Sequence, residues 1–444
     1  MTKSSKRRKW YDSAHASLCL LGSYLRLTGF FGPLEAGVTL QQKAIKYRPV
    51  QKLEMLFVSL LAGAKAVSQT GTTLKVDRAL QAAFGLPGCA EQSVIADTLD
   101  AATEQDVADL RRVIEATFVQ HSQARRHDLE RAVLVLDLDL SPLPASKRSE
   151  GSERCYMGRC RSKTGRKLVR VRAAQYQETV REDVRPGRTV ETLAVVQAAV
   201  DAAERLLDLA GDRPETRAKR ARVEWRLDSG WGSDEILHWL LGRDYQVTGK
   251  FTSSSRVRKL VQAMPTWAPT SSPGRDVAAV PTPVELARPT RQYAVRTPSA
   301  KKPEGYQYAV VVSSRLELDM LGVIDHYDGR AGMEAELKSD KRGLGLGTLR
   351  KGRLPAQQMI VLLTTLTHNV LVWSRRWLAR AAPRLASFGI VRLIQEVWAV
   401  PGRVKLIDGE IRRVRLRPEH PRAWDVYRGL APFCPQGQTL AFLG

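Results

Sequence analysis

Three acidic residues, two of them at the ends of strand-like segments, constrain the fold of this chain most strongly. Asp139 closely follows the apolar segment 133–136, and Asp228 directly follows the strand-like segment 223–227. Nearly continuous apolar runs are typical of strands that are buried on both faces of a sheet. Strand-like and helical segments alternate from residue 131 to residue 250, which predicts an α/β core with a mixed sheet.

The third acid, Glu334, lies in a segment with helical spacing. Tyr327, Arg330, Glu334 and Lys341 are separated by 3, 4 and 7 residues. Because an α-helix completes a turn in about 3.6 residues, these offsets predict one helix with all four side chains along one stripe. A simpler alternative is that Arg330 and Glu334 form an ordinary i,i+4 ion pair on a solvated helix face.

Carboxylates in this arrangement predict a metal centre. Mg²⁺ prefers oxygen ligands, and pairs of Mg²⁺ ions held by carboxylates cut and join phosphodiesters. We therefore expect Mg²⁺, with Mn²⁺ able to replace it, at Asp139, Asp228 and Glu334. Asp137 lies two residues before Asp139 and faces the same side of a strand, so the residue pattern leaves either aspartate as the first ligand.

The excess of basic residues indicates a polyanionic partner. The 444 residues include 70 Lys and Arg against 46 Asp and Glu, a formal net charge of +24. Such an excess favours nucleic acid, whose phosphates release counterions when a basic protein binds, over the alternative of an anionic membrane surface. No apolar run of about 18 residues is present, so we expect no membrane-spanning helix. The five widely spaced cysteines favour a reducing cytoplasm over a disulfide framework.

Three short motifs resemble those of a known family. Residues 327–341 fit the signature Tyr-x2-Arg-x3-Glu-x6-Lys, residues 227–231 read Leu-Asp-Ser-Gly-Trp, and residues 136–141 read Leu-Asp-Leu-Asp-Leu-Ser. Over roughly residues 130–380 the chain resembles the DDE transposases of bacterial insertion sequences, specifically the superfamily of insertion sequence four. The resemblance implies an RNase H-like mixed-sheet catalytic core with a β-rich insertion. It also implies Mg²⁺-dependent cut-and-paste transposition by a homodimer bound to double-stranded DNA at two element ends.

The resemblance implies a role for each motif residue. Asp139, Asp228 and Glu334 are the expected catalytic residues and metal ligands, with Asp139 shared between two ions. Asp139 is preferred to Asp137 because it aligns with the family's aspartate before a small hydroxyl residue. Asp137 is then expected to accept hydrogen bonds near the site without binding the metal itself. Guanidinium, ammonium and hydroxyl groups hold phosphate oxygens. The expected DNA contacts in the third motif are Tyr327, Arg330 and Lys341.

Further DNA contacts are predicted outside the motifs. Tyr308 occupies the place where family members carry an aromatic residue that stacks on a flipped base, although simple strand packing is the alternative. The segment 154–172 contains eight Lys or Arg and no acid, which predicts either a groove along a DNA backbone or a solvated surface. The residues expected to contact DNA there are Arg161, Lys163, Arg166 and Lys167.

Changes in periodicity and composition divide the chain into five predicted regions. They are a helical N-terminal DNA-binding region at 1–128, the first part of the RNase H-like core at 129–251, an insertion at 252–314, the second part of the core at 315–385, and a basic C-terminal tail with a hairpin at 386–444. The Pro-rich insertion is expected to be either a linker or a small, loosely ordered β-structure. The hairpin is expected to turn at Asp408-Gly409.

Two other functions also fit the sequence. One is a structure-specific nuclease of the same fold, and the other is a non-catalytic DNA-binding or repressor protein derived from a transposase. A nucleotide cofactor is not expected, because the segment 158–164 lacks the second glycine of a phosphate-binding loop. The expected location is the bacterial cytoplasm, in association with the nucleoid.

Overall fold

The computed structural model describes residues 8–42, 45–157, 163–264, 266–301 and 305–443. The chain divides into two units, which we call the sheet unit and the terminal unit. The sheet unit comprises Ser122–Pro142 and Lys167–Ala335, and the terminal unit comprises Met1–His121, Leu143–Arg166 and Glu336–Gly444. The three acids Asp139, Asp228 and Glu334 therefore all belong to the sheet unit.

Helices and strands occur along the whole described chain. The strands are β1 (Arg8–Ser13), β2 (Leu134–Pro144), β3 (Glu153–Arg154), β4 (Thr164–Ala173), β5 (Glu178–Arg185), β6 (Val223–Leu227), β7 (Gln246–Lys250), β8 (Ala268–Pro269), β9 (Asp276–Ala279), β10 (Arg291–Pro298), β11 (Tyr306–Ser313), β12 (Gly402–Ile407), β13 (Glu410–Leu416) and β14 (Thr439–Phe442). The α-helices are α1 (Ala16–Leu27), α2 (Gly32–Gly37), α3 (Pro49–Leu61), α4 (Arg78–Ala83), α5 (Gln92–Ala101), α6 (Glu104–His121), α7 (Leu193–Leu207), α8 (Pro214–Arg220), α9 (Asp234–Gly242), α10 (Ser254–Gln262), α11 (Met320–Asp328), α12 (Ala331–Gly343), α13 (Leu354–Ala379), α14 (Ile390–Arg392) and α15 (Ala423–Leu430).

The sheet unit contains the mixed sheet that the sequence predicts. Its strand order is β5-β4-β2-β6-β7, with β2, β6 and β7 parallel and β4 antiparallel to β5. Parallel neighbours need crossover connections, and the helices α7, α8 and α9 lie in those connections. Strand β2, the first strand of this sheet along the chain, lies at the centre of this order. The β4–β5 hairpin lies on one side of it, and the parallel strands β6 and β7 lie on the other. This order confirms the predicted α/β class with an RNase H-like core.

The Pro-rich segment after β7 extends the same sheet. Strand β11 runs antiparallel to β7 with Val311 opposite Lys250, and the order continues through β10, β9 and β8. Val277, Val295 and Val311 are buried there in one apolar cluster. These buried valines supply an apolar face that a linker would lack. Of the two predicted alternatives, the structure therefore has β-strands, and they are continuous with the central sheet.

The terminal unit is built around the long helix α13. Every residue from 355 to 375 is buried, including polar residues such as His368 and Arg375. Within the unit α13 contacts α3, α5, α6 and α15. Helices α1 to α6 lie within the region 1–128 that the sequence predicts to be helical. No helix in the described part of the chain is long and apolar enough to cross a membrane.

A second sheet in the terminal unit joins the two ends of the described chain. Its strand order is β1-β12-β13-β14, with β12 antiparallel to both β1 and β13. The predicted hairpin is present, and it turns at Asp408 and Gly409, whose φ angles are 53° and 83°. Two successive positive φ angles are typical of the type I′ turn that matches the twist of a hairpin.

A buried ionic cluster links α12 to α13 in the terminal unit. Nδ1 of His368 lies 2.9 Å from Oδ1 of Asp340, and Nε2 lies 3.3 Å from Oε1 of Glu336. Burial alone would lower the pKa of His368, but Asp340 and Glu336 outweigh burial and raise the pKa to about 10. His368 is therefore a buried cation at neutral pH, and it holds the helix on which Glu334 also lies.

The His368 cluster should make folding stability depend on pH. The pKa of this imidazole is about 10 in the folded chain and near 6.5 in an unfolded one. Its contribution is therefore complete below about pH 6 and decreases by up to about 1.4 kcal/mol per pH unit as the pH rises toward 10. We expect this decrease in the difference in unfolding free energy between the wild type and the variant H368Q/E336Q/D340N, measured in urea from pH 6 to 9. A difference that stays constant over this range would contradict the assignment.

Candidate active site

Parallel pairing of β2 with β6 brings the first two acids together. Asp137 lies opposite Arg226 and Leu138 lies opposite Leu227. Asp139 and Asp228 follow one residue later on neighbouring strands, at the same edge of the sheet. The Asp139 side chain is 13% exposed and that of Asp228 is 36% exposed. Asp228 directly follows β6, as predicted, whereas Asp139 lies within β2, so the prediction that it lies at a strand end is wrong. The two acids share a position just beyond the last paired residues of β2 and β6.

The third motif is not one continuous helix, so the predicted single stripe is wrong. Helix α11 ends at Asp328, α12 begins at Ala331, and the junction is closed by tight i,i+3 hydrogen bonds. In an uninterrupted helix the amide of Arg330 would donate to the carbonyl of His326. Instead, Nη1 of Arg226 donates to that carbonyl at 2.7 Å, and the Arg330 amide donates to Tyr327 at 3.0 Å.

Gly329 makes room for this interruption. A Cβ atom at position 329 would lie 2.8 Å from Nη1 of Arg226, closer than non-bonded atoms approach. A larger residue at this position would require the Arg226 guanidinium to shift from its place at the end of α11. The junction changes the direction of the Arg330 side chain relative to a regular helix.

Arg330 lies among all three acids. Its Nη2 is 2.9 Å from Oδ1 of Asp139 and 3.6 Å from Oδ2 of Asp228, and its Nη1 is 3.5 Å from Oε1 of Glu334. Because a guanidinium spans only a few ångströms, the three carboxylates lie close together. Burial alone would lower the pKa of Arg330, but Asp228 and Asp139 raise it above its ordinary value. The structure therefore brings together the residues that the three motifs predict.

Asp137 has a different environment from Asp139. It is fully buried, and its two oxygens accept hydrogen bonds from Nε and Nη2 of Arg226 at 2.6 and 3.0 Å. Nη1 of Arg172 donates to the same carboxylate at 3.1 Å. Arg226 also donates to the carbonyl of His326 near the end of α11. Asp137 therefore supports the junction between α11 and α12 by holding Arg226 in place.

Tyr327 is largely part of the core, although its motif position predicts a phosphate contact. It is 6% exposed and packs with Val323 and Ile324 in the apolar cluster of the sheet unit. Burial raises the pKa of its hydroxyl to about 12, so the hydroxyl keeps its proton at neutral pH. A protonated phenol remains a hydrogen-bond donor.

Lys250 is a site residue that the sequence analysis missed. Its Nζ lies 4.6 Å from the centre of the Tyr327 ring, over the ring face. Burial lowers the pKa of Lys250, and the nearby Arg275 lowers it further. Lys250 ends β7, the strand next to β6. The sequence contains a signal for it, because Lys250 ends the strand next to β6, and Asp228 directly follows β6.

Glu224 and His326 form a second missed interaction. Nε2 of His326 donates to the buried carboxylate of Glu224 at 2.8 Å, and Nη1 of Arg315 donates to it at 2.9 Å. Burial alone would raise the pKa of Glu224, but the hydrogen bond from His326 outweighs burial and lowers it. This contact fixes α11 to β6 one turn before the junction.

The other predicted DNA contacts have varied surroundings. Tyr308 is half-buried on β11, with its ring centre 6.1 Å from that of Trp267, and Lys341 is half-buried two turns after Glu334 on α12. Lys163 is exposed, Lys167 is half-buried, and Arg161 lies outside the described residues.

The predicted DNA contact of Arg166 is corrected by its burial. The residue is 1% exposed, and its guanidinium donates to the carbonyls of Glu150 at 2.7 Å, Lys351 at 2.9 Å and Gly352 at 2.6 Å. These bonds satisfy the cation inside the terminal unit. Arg166 therefore ties two loops together and is not available to a phosphate at the surface.

The sequence matches one protein family over most of its length. The matching family is described as "Transposase DDE domain group 1", and the match covers residues 13–421. The chain belongs to this family. It is therefore a DDE transposase by descent, as the three motifs suggest.

Comparisons with solved structures give two similar transposase assemblies. One is a cryo-EM structure of a piggyBac transposase synaptic complex with hairpin DNA, with a TM-score of 0.48, 11% identity, and coverage of 88% of this chain and 83% of that chain. The other is a crystal structure of a pre-cleavage Mos1 transpososome, with a TM-score of 0.18, 12% identity, and coverage of 47% and 61%. Curated proteins give no match.

A DDE transposase is expected to use divalent metal ions, and the donor atoms at this site fit them in type. Asp139, Asp228 and Glu334 all present carboxylate oxygens, which Mg²⁺ prefers. Within the described residues no group of three or more His, Cys, Asp or Glu side chains has the arrangement of a metal site. The three carboxylates lie 2.9 to 3.6 Å from the Arg330 guanidinium.

The two neighbouring aspartates of this transposase should differ in their effect on stability. Asp137→Asn leaves Arg226 and Arg172 buried beside a neutral amide, and loss of one partner of a buried ion pair costs about 3–5 kcal/mol. Asp139→Asn is the matched control, with a smaller expected loss because Arg330 keeps Asp228 and Glu334 as partners. Urea unfolding of both variants measures the difference. Equal losses would contradict the distinct roles assigned to the two aspartates.

Proposed function

We propose that this chain is a DNA transposase that cuts the ends of its element and joins the resulting 3′-OH groups to target DNA by a cut-and-paste route. The observation that carries this proposal is the convergence of Asp139, Asp228 and Glu334 around Arg330. Three carboxylates gathered where the parallel pairing of β2 and β6 ends suit phosphoryl transfer better than any other chemistry of these residues. Double-stranded DNA is the substrate, and the active form is a homodimer holding two ends.

Each side chain of the site has a role in this proposal. Asp139, Asp228 and Glu334 would hold Mg²⁺, which supplies Lewis acidity and lowers the pKa of water when bound. Asp137 stays behind the sheet edge, because Arg226 and Arg172 occupy its oxygens. Nucleotide hydrolysis is not needed, since transesterification conserves the energy of the phosphodiester bond.

Arg330 has two tasks in the proposed reaction. In the absence of other cations its guanidinium offsets the repulsion among the three carboxylates. When the carboxylates have another counter-charge, its Nη groups suit bidentate contact with a phosphate of the DNA strand. Tyr327 and Lys341 would add a hydroxyl and an ammonium contact along the same backbone.

Tyr308 would stack on a base near the cleavage point. It lies beside Trp267, and Arg296 lies 4.7 Å from the centre of the Trp267 ring, so aromatic faces and a cation are grouped on the extended sheet. Such groupings bind bases without regard to their sequence. The exposed Lys163 and the half-buried Lys167 remain proposed backbone contacts.

The signature around Glu334 also supports a narrower placement. Its spacing fits the superfamily of insertion sequence four, so we infer a bacterial insertion-sequence enzyme that acts at the nucleoid in the cytoplasm. Inverted repeats and short target duplications on either side of the gene are the observation that tests this placement.

Substitution of two acids should separate chemistry from binding. Asp228→Asn and Glu334→Gln remove carboxylate charge without changing side-chain size. We expect Mg²⁺-dependent cleavage of a labelled duplex carrying the flanking inverted repeat to fall at least about 100-fold, because several kcal/mol of charge stabilisation is lost. Affinity for that duplex should change by no more than about 2-fold, since phosphate contacts come from other side chains.

Asp325→Asn is the matched control, since this exposed acid on α11 lies outside the group around Arg330. It should cleave as the wild type does. Retained cleavage in both Asp228→Asn and Glu334→Gln would remove the assignment of the site. A joining assay with pre-cleaved ends distinguishes a transposase from a nuclease of the same fold, because only a transposase gives joined products.

A further inference from the structure

The sheet formed by β1, β12, β13 and β14 has one strongly basic face. Side chains alternate along a strand, so Arg403 and Lys405 of β12 point to the same side as Arg413 and Arg415 of β13. Trp10 of β1 lies opposite Lys405 on this side. We call these five residues the basic face. The opposite side carries Val404, Val414 and Leu416, which are fully buried.

Like charges are directly paired across the basic face. Arg403 lies opposite Arg415, and Lys405 lies opposite Arg413. Like-charge pairs on neighbouring strands destabilise a sheet. Asp12 of β1 is an acid that lies opposite Arg403 of β12. Its side chain is 77% exposed, and its carboxylate is 3.6 Å from the Arg403 guanidinium. Glu410, at the end of the hairpin, is paired with Arg26. The four cations are therefore incompletely neutralised within the described residues of this sheet.

Trp10 holds three of the cations in place. The guanidinium carbons of Arg403 and Arg415 lie 5.6 and 5.1 Å from the centre of its ring, and Nζ of Lys405 lies 5.8 Å from it. Cations at these distances are attracted to the negative face of an indole ring. The tryptophan thus orders a charge array that would otherwise spread apart.

Packing does not explain the basic face. Arg403 and Arg413 are exposed, and Lys405 and Arg415 are half-buried. The hydrophobic side of the sheet is already complete without them. An array of ordered cations that costs folding energy and adds nothing to the core is best explained by a ligand with several negative charges.

We propose that the basic face binds the phosphate backbone of duplex DNA, a role that rests on the proposed transposase function. Neighbouring strands are about 4.8 Å apart, and alternate residues along one strand are about 6.7 Å apart, so the four cations form a two-by-two array. Such an array contacts several phosphates at once and carries no base readout. The interaction is therefore independent of sequence.

The chemistry of the face argues for duplex DNA over other polyanions. Single strands are bound by open aromatic faces on which bases stack. The Trp10 ring is already occupied by three cations, so it offers no such platform. Binding at a membrane surface needs apolar side chains that enter the lipid, and the basic face presents none beyond this half-buried tryptophan.

A pair of neutral substitutions tests the proposal in the full chain. Lys405→Gln and Arg413→Gln together remove one like-charge pair. The control pair Lys219→Gln and Arg217→Gln removes the same net charge from cations that already have acidic partners, Asp208 and Asp244. The probe is a fluorescent 30-base-pair duplex of arbitrary sequence, with anisotropy measured at several salt concentrations.

The two double variants should behave differently. For K405Q/R413Q we expect an affinity loss of about 10-fold or more near 0.1 M salt, and a plot of log affinity against log salt that is less steep by about 1.8, since each lost phosphate contact contributes about 0.9. The midpoint of thermal unfolding should be unchanged or higher, because a repulsive pair is removed. The control pair should leave affinity and slope as in the wild type.

Three outcomes would decide against the proposal in different ways. Equal affinity and slope for K405Q/R413Q and the control would overturn the role of the basic face while leaving the proposed function intact. A wild-type chain that does not bind the duplex at all would instead defeat the proposed function. Binding to vesicles containing 30% phosphatidylserine that K405Q/R413Q loses, with duplex binding unchanged, would replace DNA by a lipid surface.

Discussion

The buried pair formed by Asp137 and Arg226 is the interaction on which the candidate site depends. The two residues face each other on parallel strands, and Arg226 reaches on to the carbonyl of His326. Burying two charges is costly unless every donor and acceptor is satisfied, and removing one partner is far more damaging than replacing both. The main role of the pair is to position α11 and α12 relative to the sheet, because it joins β2 and β6 to the end of α11 and fixes where α12 begins.

The Asp137–Arg226 pair also explains how the three acids come together. Asp139 and Asp228 follow the Asp137–Arg226 pair by two residues each, so the register of β2 and β6 sets their spacing. The interrupted helix then brings Arg330 within 2.9 Å of Asp139 and within 3.5 Å of Glu334. Three like charges repel one another, and the guanidinium offsets that repulsion in advance. Because the Arg330 guanidinium already holds the three carboxylates together, they are arranged in advance for a divalent cation such as Mg²⁺.

Sequence patterns predict most of the elements but not the long-range contacts. The apolar run 133–136 identifies β2, and the Asp408-Gly409 turn identifies the terminal hairpin, because these signals are local. The break at Gly329 was not predictable from helical spacing, since it depends on Arg226, about a hundred residues earlier in the chain. The burial of Arg166 was missed for the same reason, because its acceptors include carbonyls of the distant residues Lys351 and Gly352.

Arg166 and the basic face show why charge must be judged in space. The segment 154–172 is a long basic run in the sequence, yet the Arg166 guanidinium within it donates its hydrogen bonds to backbone carbonyls of the protein itself. Two cations of the basic face, Arg413 and Arg415, lie in the basic run 412–417, but Trp10 and Lys405 are almost four hundred residues apart before β1 pairs with β12. Cations at alternate positions of a strand share one face, whereas neighbours in a run point to both. For a chain of net charge +24, alternation within a paired sheet is therefore better evidence of a phosphate-binding surface than local density.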